Sequence, residues 1–391
     1  MLRRHFIKAI VASLVVYQSP LLAAAQNNIS KANKQSIKQP IKQKKVVWVI
    51  LRGALDSLHT VVPTFDPAMN TLRPTLYKSI EHKCFPLHDG FALHPSLINL
   101  HQWYQQKQLL PIVAVYSGYP KRSHFDGQDY LESGLASPDQ ENGWLGRALK
   151  AKDKQAIAIS QSNPISLRGA NQQSNTWYPS RLPNAEQDTY QALQQLYQHS
   201  PQLLNRLDEG ISMDALLNEQ AMNKKQKGNF VSLSKSCGQL LSQENMDSAM
   251  LTLGGWDSHK NQAAQLKRQL SLLDKGLQAL KIKLAEQWDN TLVIVATEFG
   301  RTAKENGTRG TDHGTASGLF LAGGNINGGQ VLGDWPGLQT EQLFKQRDLK
   351  ATSNSFDWIA AALQQHWQFS PSQTQQVFPT SKPYQGDLFR A

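Results

Sequence analysis

Four runs of consecutive apolar residues stand out between polar loops: Val46-Val47-Trp48-Val49-Ile50-Leu51, Pro111-Ile112-Val113-Ala114-Val115-Tyr116, Ala249-Met250-Leu251-Thr252-Leu253 and Leu292-Val293-Ile294-Val295-Ala296. Short, continuous and rich in β-branched residues, they predict strands buried on both faces, as in a parallel sheet. Ala156-Ile157-Ala158-Ile159 is a shorter candidate. Helical patterns alternate with them. Residues 95–107 place Leu97, Leu100 and Trp103-Tyr104 on one face, and residues 262–287 repeat Leu266, Leu270, Leu273, Leu277, Leu280 and Leu284 at spacings of four and three. A last helix is expected over 356–366. The β, α, β, α order predicts an α/β fold, a mostly parallel sheet with helices on both faces. Residues 161–230, rich in Gln, Asn and Ser with weaker helical runs at 185–206, read as a polar insertion in a single domain over 46–391.

The predicted strands discharge chemistry at one end. Asp56 follows the first, and Arg122, Ser123 and His124 follow the second. Asp257 and His259 follow the third, Glu298 and Arg301 the fourth, with Asp312-His313 shortly after. Open α/β sheets bind ligands at the carboxyl ends of their strands, where such loops converge. Carboxylates and imidazoles from separate loops make a divalent metal site, because like charges crowded at one edge need a cation. Oxygen and imidazole donors suit zinc, manganese or magnesium better than a thiolate-bound metal. Ser123 stands where a helix can begin, either as its cap or as a nucleophile beside the helix dipole. Arg122 and Arg301 are placed to clamp an anion or to pair with these carboxylates. His94, within Phe91-Ala92-Leu93-His94-Pro95, reads as a packed histidine rather than a ligand.

Charge changes the picture less than it first suggests. The formal net charge is +11, but residues 1–45 hold nine Lys and Arg and no Asp or Glu, so the remainder carries only +2. A basic nucleic-acid groove is therefore not indicated. Residues 1–25 read as an export signal: Arg3-Arg4-His5-Phe6-Ile7-Lys8 resembles the twin-arginine signature, and a short apolar region ends in Ala23-Ala24-Ala25. Residues 26–45 are a lysine-rich polar linker expected to be disordered. No stretch of the mature chain is long and apolar enough to span a membrane. Cys84 and Cys237 are the only cysteines and lack zinc-ligand spacing; pairing and separate burial both remain open.

Several blocks carry a family resemblance: LRGALDSLHTVVPTFDP at 51–67, RSHFDGQDYLESG at 122–134, GWLGRAL at 143–149, GGWDSHKNQ at 254–262, TEFGRTAKENGTRGTDHG at 297–314 and WPGL at 335–338. They are similar to the domain-of-unknown-function 1501 family, which itself looks like a branch of the alkaline phosphatase superfamily. The resemblance implies an alkaline phosphatase-like three-layer sandwich and one or two divalent ions, zinc or manganese. It implies Ser123 as nucleophile; Arg122 and Arg301, from their own positions at the strand ends, are candidates to stabilise developing charge. It implies a metal set of Asp56, Asp257, His259, Glu298, Asp312 and His313. Three departures qualify it. Phe299 stands where the superfamily has a metal-binding histidine, Ala54 and Ser57 replace usual glycines, and the block at 123–127 lacks the Pro and Arg of a sulfatase.

Two functions follow as expectations. One is a periplasmic or secreted, metal-dependent hydrolase of phosphate or sulfate esters, using Ser123 or a metal-activated water. The other is a non-catalytic binding or assembly module that partners an envelope protein.

Overall fold

The computed structural model describes residues 43–170, 173–179, 187–218 and 228–390; the expected export signal and nearly all of the expected linker lie outside them. An eight-stranded sheet organises the fold. Its strands are β1 (Lys45–Leu51), β5 (Leu109–Tyr116), β6 (Ala156–Ile159), β7 (Ser174–Trp177), β8 (Ser248–Leu253), β9 (Thr291–Thr297), β10 (Ser317–Ala322) and β11 (Ser353–Asn354). A small second sheet holds β2 (Val61–Pro63), β3 (Phe85–Pro86) and β4 (Phe91–Leu93).

The large sheet runs β11-β5-β10-β9-β1-β8-β6-β7. β1 lies at its centre, parallel to β8 and β9, with Val49 opposite both Leu251 and Val295. Only β10 among these strands is antiparallel, to β5 and β9. The carboxyl ends of β1, β5, β8 and β9 therefore open on the same edge.

Ten helices are described: α1 (Ala68–Leu72), α2 (Ile98–Gln105), α3 (His124–Ser133), α4 (Trp144–Lys152), α5 (Gln187–Tyr197), α6 (Pro201–Asn218), α7 (Phe230–Leu241), α8 (Gln262–Leu284), α9 (Ser355–Trp367) and α10 (Pro371–Val377). Side-chain alternation along β1 explains the three layers. Val47, Val49 and Leu51 face a core shared with α2, α7 and the leucine stripe of α8. Val46, Trp48 and Ile50 face a second core with α4, α9 and α10. Each such large apolar side chain, fully buried, contributes roughly 1.5–3 kcal/mol.

The expected strands and the long helix appear where the periodicity places them, and the 161–230 stretch contributes α5, α6, β7 and the end of a loop. β1 begins one residue earlier than expected, at Lys45. Among the described residues no helix is long and apolar enough to cross a membrane. Both cysteines are free thiols, Cys237 in the core and Cys84 half-buried.

Candidate metal centre

β1 ends in a turn that depends on glycine. Gly53 sits at φ 116, and an added Cβ would come within 2.7 Å of the Asp257 backbone nitrogen. This close approach brings the β1 and β8 loops together. It also lets the Gly53 N–H donate to Glu298 Oε1 at 2.8 Å. Ala54 follows at φ 66, in the left-handed region that favours the glycine of the family pattern. On β5, the chain turns through Lys121-Arg122 into α3, with Ser123 as N-cap accepting the Asp126 N–H at 3.4 Å. Gly134 at φ 68 closes the same helix. Beyond β9, the Arg301–His313 bridge pins the returning loop, and a side chain at Gly314 would collide with Arg301.

These turns converge four donor atoms. His313 Nε2 lies 3.0 Å from His124 Nε2, 3.1 Å from His259 Nε2 and 3.2 Å from Asp257 Oδ1. His259 Nε2 is 3.0 Å from the same Oδ1, and His124 Nε2 is 3.4 Å from it. The ligand atoms of His124, Asp257 and His313 all fall within 4.8 Å of one another, the spread a metal ion can bridge.

Each imidazole is oriented from behind. Glu298 Oε1 takes His124 Nδ1 at 2.8 Å, Asp312 Oδ1 takes His259 Nδ1 at 3.1 Å, and the Arg122 carbonyl takes His313 Nδ1 at 2.9 Å. An acceptor on Nδ1 fixes the proton there and leaves the Nε2 lone pair inward, the arrangement found behind metal-bound histidines. The His124 and His313 lone pairs and the Asp257 carboxylate oxygen, gathered this closely, repel unless a cation joins them, and His259 Nε2 borders the same space. The donor set therefore fits a divalent metal. Imidazoles outnumber carboxylates, which favours zinc over manganese or magnesium.

Electrostatics follow the same geometry. Burial alone would push the Glu298 carboxyl up, but the bond to His124 and the Gln128 and Gly53 donors hold it below its usual range. Burial would likewise lower His124, yet Glu298 and Asp257 leave it raised. The Asp257 carboxyl is held low against its partial burial by Arg301, which donates from Nη1 at 2.6 Å and through its own charge.

The residues expected from sequence divide into groups. Asp257, His259 and His313 meet directly. Glu298, wholly buried, and Asp312 stand one step back, each behind a histidine. Asp56 is elsewhere in its bonding: its Oδ2 is paired with Arg73 at 2.6 Å and also takes the Gln262 side chain, all three buried. The atoms that can share an ion belong to His124, Asp257 and His313; Asp56, Glu298, Asp312 and His259 stand outside that group, His259 Nε2 at its rim, 3.0 Å from Asp257 Oδ1. Arg301 is committed to Asp257 and to the Thr311 carbonyl. Arg122 is committed to Asp348 at 2.6 Å. Ser123 lies between Arg122 and His124, two residues fixed to the cluster. Phe299 is buried and stacks on His124, ring centroids 4.9 Å apart.

His124 carries no ligand role on sequence grounds; here its ring stacks on Phe299, the position at which the resemblance expects an imidazole. Gln262, Arg73 and Asp348 carry no local sequence signal. Only tertiary pairing reveals them.

A family model described as "Protein of unknown function (DUF1501)" matches residues 105–375, and the chain belongs to that family. No curated protein matches the sequence. Among solved structures, the chain is similar to a phosphonate monoester hydrolase from Silicibacter pomeroyi, at 11% identity over 82% of this chain and 72% of that one, with a TM-score of 0.42. It is also similar to alkaline phosphatase from the Antarctic bacterium TAB5, at 15% identity over 73% and 92%, TM-score 0.35. A third is the C-terminal periplasmic domain of EcEptC from Escherichia coli, in complex with Zn, at 9% identity over 72% and 73%, TM-score 0.36.

Proposed function

We propose that this DUF1501 protein is an exported, metal-dependent hydrolase of phosphate or sulfate esters, with one zinc ion held by His124, His259, His313 and Asp257. The observation that carries the reading is the inward turn of three imidazoles, each with its Nδ1 held by a separate acceptor. When bound, the ion supplies Lewis-acid polarisation of the ester. The chain's own groups do the rest. Ser123 is the nucleophile: its Oγ bonds to phosphorus or sulfur as the ester's alcohol leaves with the serine proton, and water then cleaves the seryl ester, releasing phosphate or sulfate and restoring the hydroxyl. Ser123 opens α3, and the positive end of that helix favours the ester's negative charge. Arg301 fixes the Asp257 carboxylate, and Arg122 fixes the loop that carries both Ser123 and the carbonyl behind His313.

Turnover of p-nitrophenyl phosphate and p-nitrophenyl sulfate by the exported chain tests the reading. Activity on one of them should fall at least about a hundredfold in Ser123→Ala while zinc content holds, the usual scale for a lost nucleophile. Full activity in Ser123→Ala would remove the serine from the chemistry. A second reading, a binding or assembly module of the envelope, is favoured by the Arg73 side chain seated on Asp56, which closes a carboxylate that the resemblance offers to a metal. Zinc retained without turnover on any ester, together with specific capture of an envelope protein, would support that reading.

A further inference from the structure

A cleft of about 480 Å³ opens beside the cluster. The two share backbone: Arg122 lines the cleft with its side chain while its carbonyl oxygen holds His313 Nδ1, and Gly314, the next residue after His313, also borders the cleft. Three lysines line it, Lys121, Lys345 and Lys350, with no carboxylate in the lining; Arg122 also lines it, its guanidinium already paired with Asp348. The concentration is local, since the chain beyond residue 45 carries only +2 overall. Lys121 and Lys350 have no ion-pair or hydrogen-bond partner among the described residues. Tyr116 and the partly exposed Phe344 supply aromatic surface to the same lining.

The far wall is built at a cost. Lys345 and Gln346 stand in succession at φ 52 and 54, a conformation that side chains other than glycine's rarely adopt. What holds them is Asp348. Its carboxylate is fully buried and takes Arg122 at 2.6 Å, Thr315 Oγ1 at 2.9 Å and Arg347 at 3.0 Å. Its backbone pairs both ways with Phe344. Arg122 is thus the link between the metal loop and the strained turn that presents Phe344 and Lys345. Strain held in place by a buried network is characteristic of ligand clamps.

We propose that this cleft seats the rest of the substrate: a short saccharide bearing at least one further sulfate or phosphate group beside the ester at the metal. The cations recognise the additional anion and the aromatic rings carry the sugar face. The volume suits a short oligosaccharide, within the usual range of small-molecule clefts, and not the long track of a nucleic acid. The inference rests on the hydrolase reading for its orientation, but the binding is measurable without turnover.

Calorimetry on the full exported chain, with and without chelator, would use a heparin tetrasaccharide, maltotetraose as its neutral counterpart, and inorganic tripolyphosphate as an anion without a ring. The tetrasaccharide should bind and maltotetraose should not. Lys121→Glu with Lys350→Glu should weaken binding by roughly tenfold or more, whereas the exposed pair Lys150→Glu with Lys275→Glu, neither of them in the lining, should change it by less than about twofold. Phe344→Ala should weaken the tetrasaccharide about fivefold and leave tripolyphosphate unchanged. Equal loss in both charge-reversed pairs, or no binding by the unaltered chain, would overturn the cleft as a site. An unchanged tetrasaccharide affinity in Phe344→Ala, or tighter binding of a single-stranded oligonucleotide, would overturn the saccharide. Failure of the hydrolase reading has a different signature: cleft-dependent binding that persists in a chain with neither zinc nor ester turnover.

Discussion

Two aspartates leave neighbouring parallel strands at one sheet edge, and the protein treats them in opposite ways. Asp56, after β1, is buried, paired with Arg73 and capped by Gln262. Asp257, after β8, keeps 43% of its side chain exposed and is ringed by three imidazoles. Both have a guanidinium at 2.6 Å. The difference lies in what else approaches. Around Asp56 the further side-chain partner is a donor, the Gln262 amide, so the charge already has its counterparts. Around Asp257 the further partners are imidazole nitrogens, which can turn a lone pair toward a shared ion. A carboxylate at a strand end thus becomes a fold element or a ligand according to its neighbours, not its place in the chain.

The largest expected effect comes from breaking the closed side. Arg73→Ala strands the Asp56 charge in the core, and removing one partner of a buried pair costs about 3–5 kcal/mol. Urea denaturation should show that loss. An unchanged midpoint would mean that Asp56 is not held by Arg73. Acid comes next and sharpens the same contrast through imidazoles. Burial pushes His94 and His366 down to about 3, far below the usual histidine value. The folded chain therefore binds fewer protons than the unfolded one. Stability from these residues is complete above about pH 6.5 and is lost as pH falls toward 3, amounting to a few kcal/mol each. Denaturation at pH 7 and pH 4 would register the drop, and His366→Gln should shrink it.

On the open side the effects are smaller and are read in metal rather than in folding. Glu298→Gln removes the charge behind His124 while preserving the buried shape. Zinc affinity, measured against a competing chelator, should fall about 10–100-fold, as for partners behind a metal-bound histidine. Unchanged affinity would place Glu298 outside the centre. The smallest effect belongs to Phe299→Leu, which trades the ring stacked on His124 for an aliphatic side chain. A loss of about twofold to fivefold in zinc affinity is expected, and none if the stacking does not orient the imidazole.

Much of this frame is legible in the chain. Runs buried on both faces announce β1, β5, β8 and β9, and the leucine stripe announces α8, because period and apolarity are local properties. The edge where they discharge Asp257, His259 and His313 follows from parallel order alone. β10 is less legible. Its Ser317–Ala322 run is antiparallel, and strand direction is set by the loop that precedes it rather than by its own composition. The division of labour among the carboxylates is not legible either. Asp56, Glu298 and Asp312 look alike as ligands until Arg73, His124 and His259 are brought against them from distant positions. Arg73 lies 17 residues from Asp56 and Glu298 lies 174 from His124. His124 is plain in the sequence, one residue after Ser123, yet its role as the third imidazole needs α3 to begin where Ser123 caps it.

The most direct test of the contrast is metal content of the folded chain by elemental mass spectrometry, beside Asp257→Ala and Asp56→Asn. The account predicts one zinc per chain, lost in Asp257→Ala and kept in whatever fraction of Asp56→Asn folds. Zinc kept in Asp257→Ala but lost in folded Asp56→Asn, or no metal in any of the three after reconstitution, would contradict it.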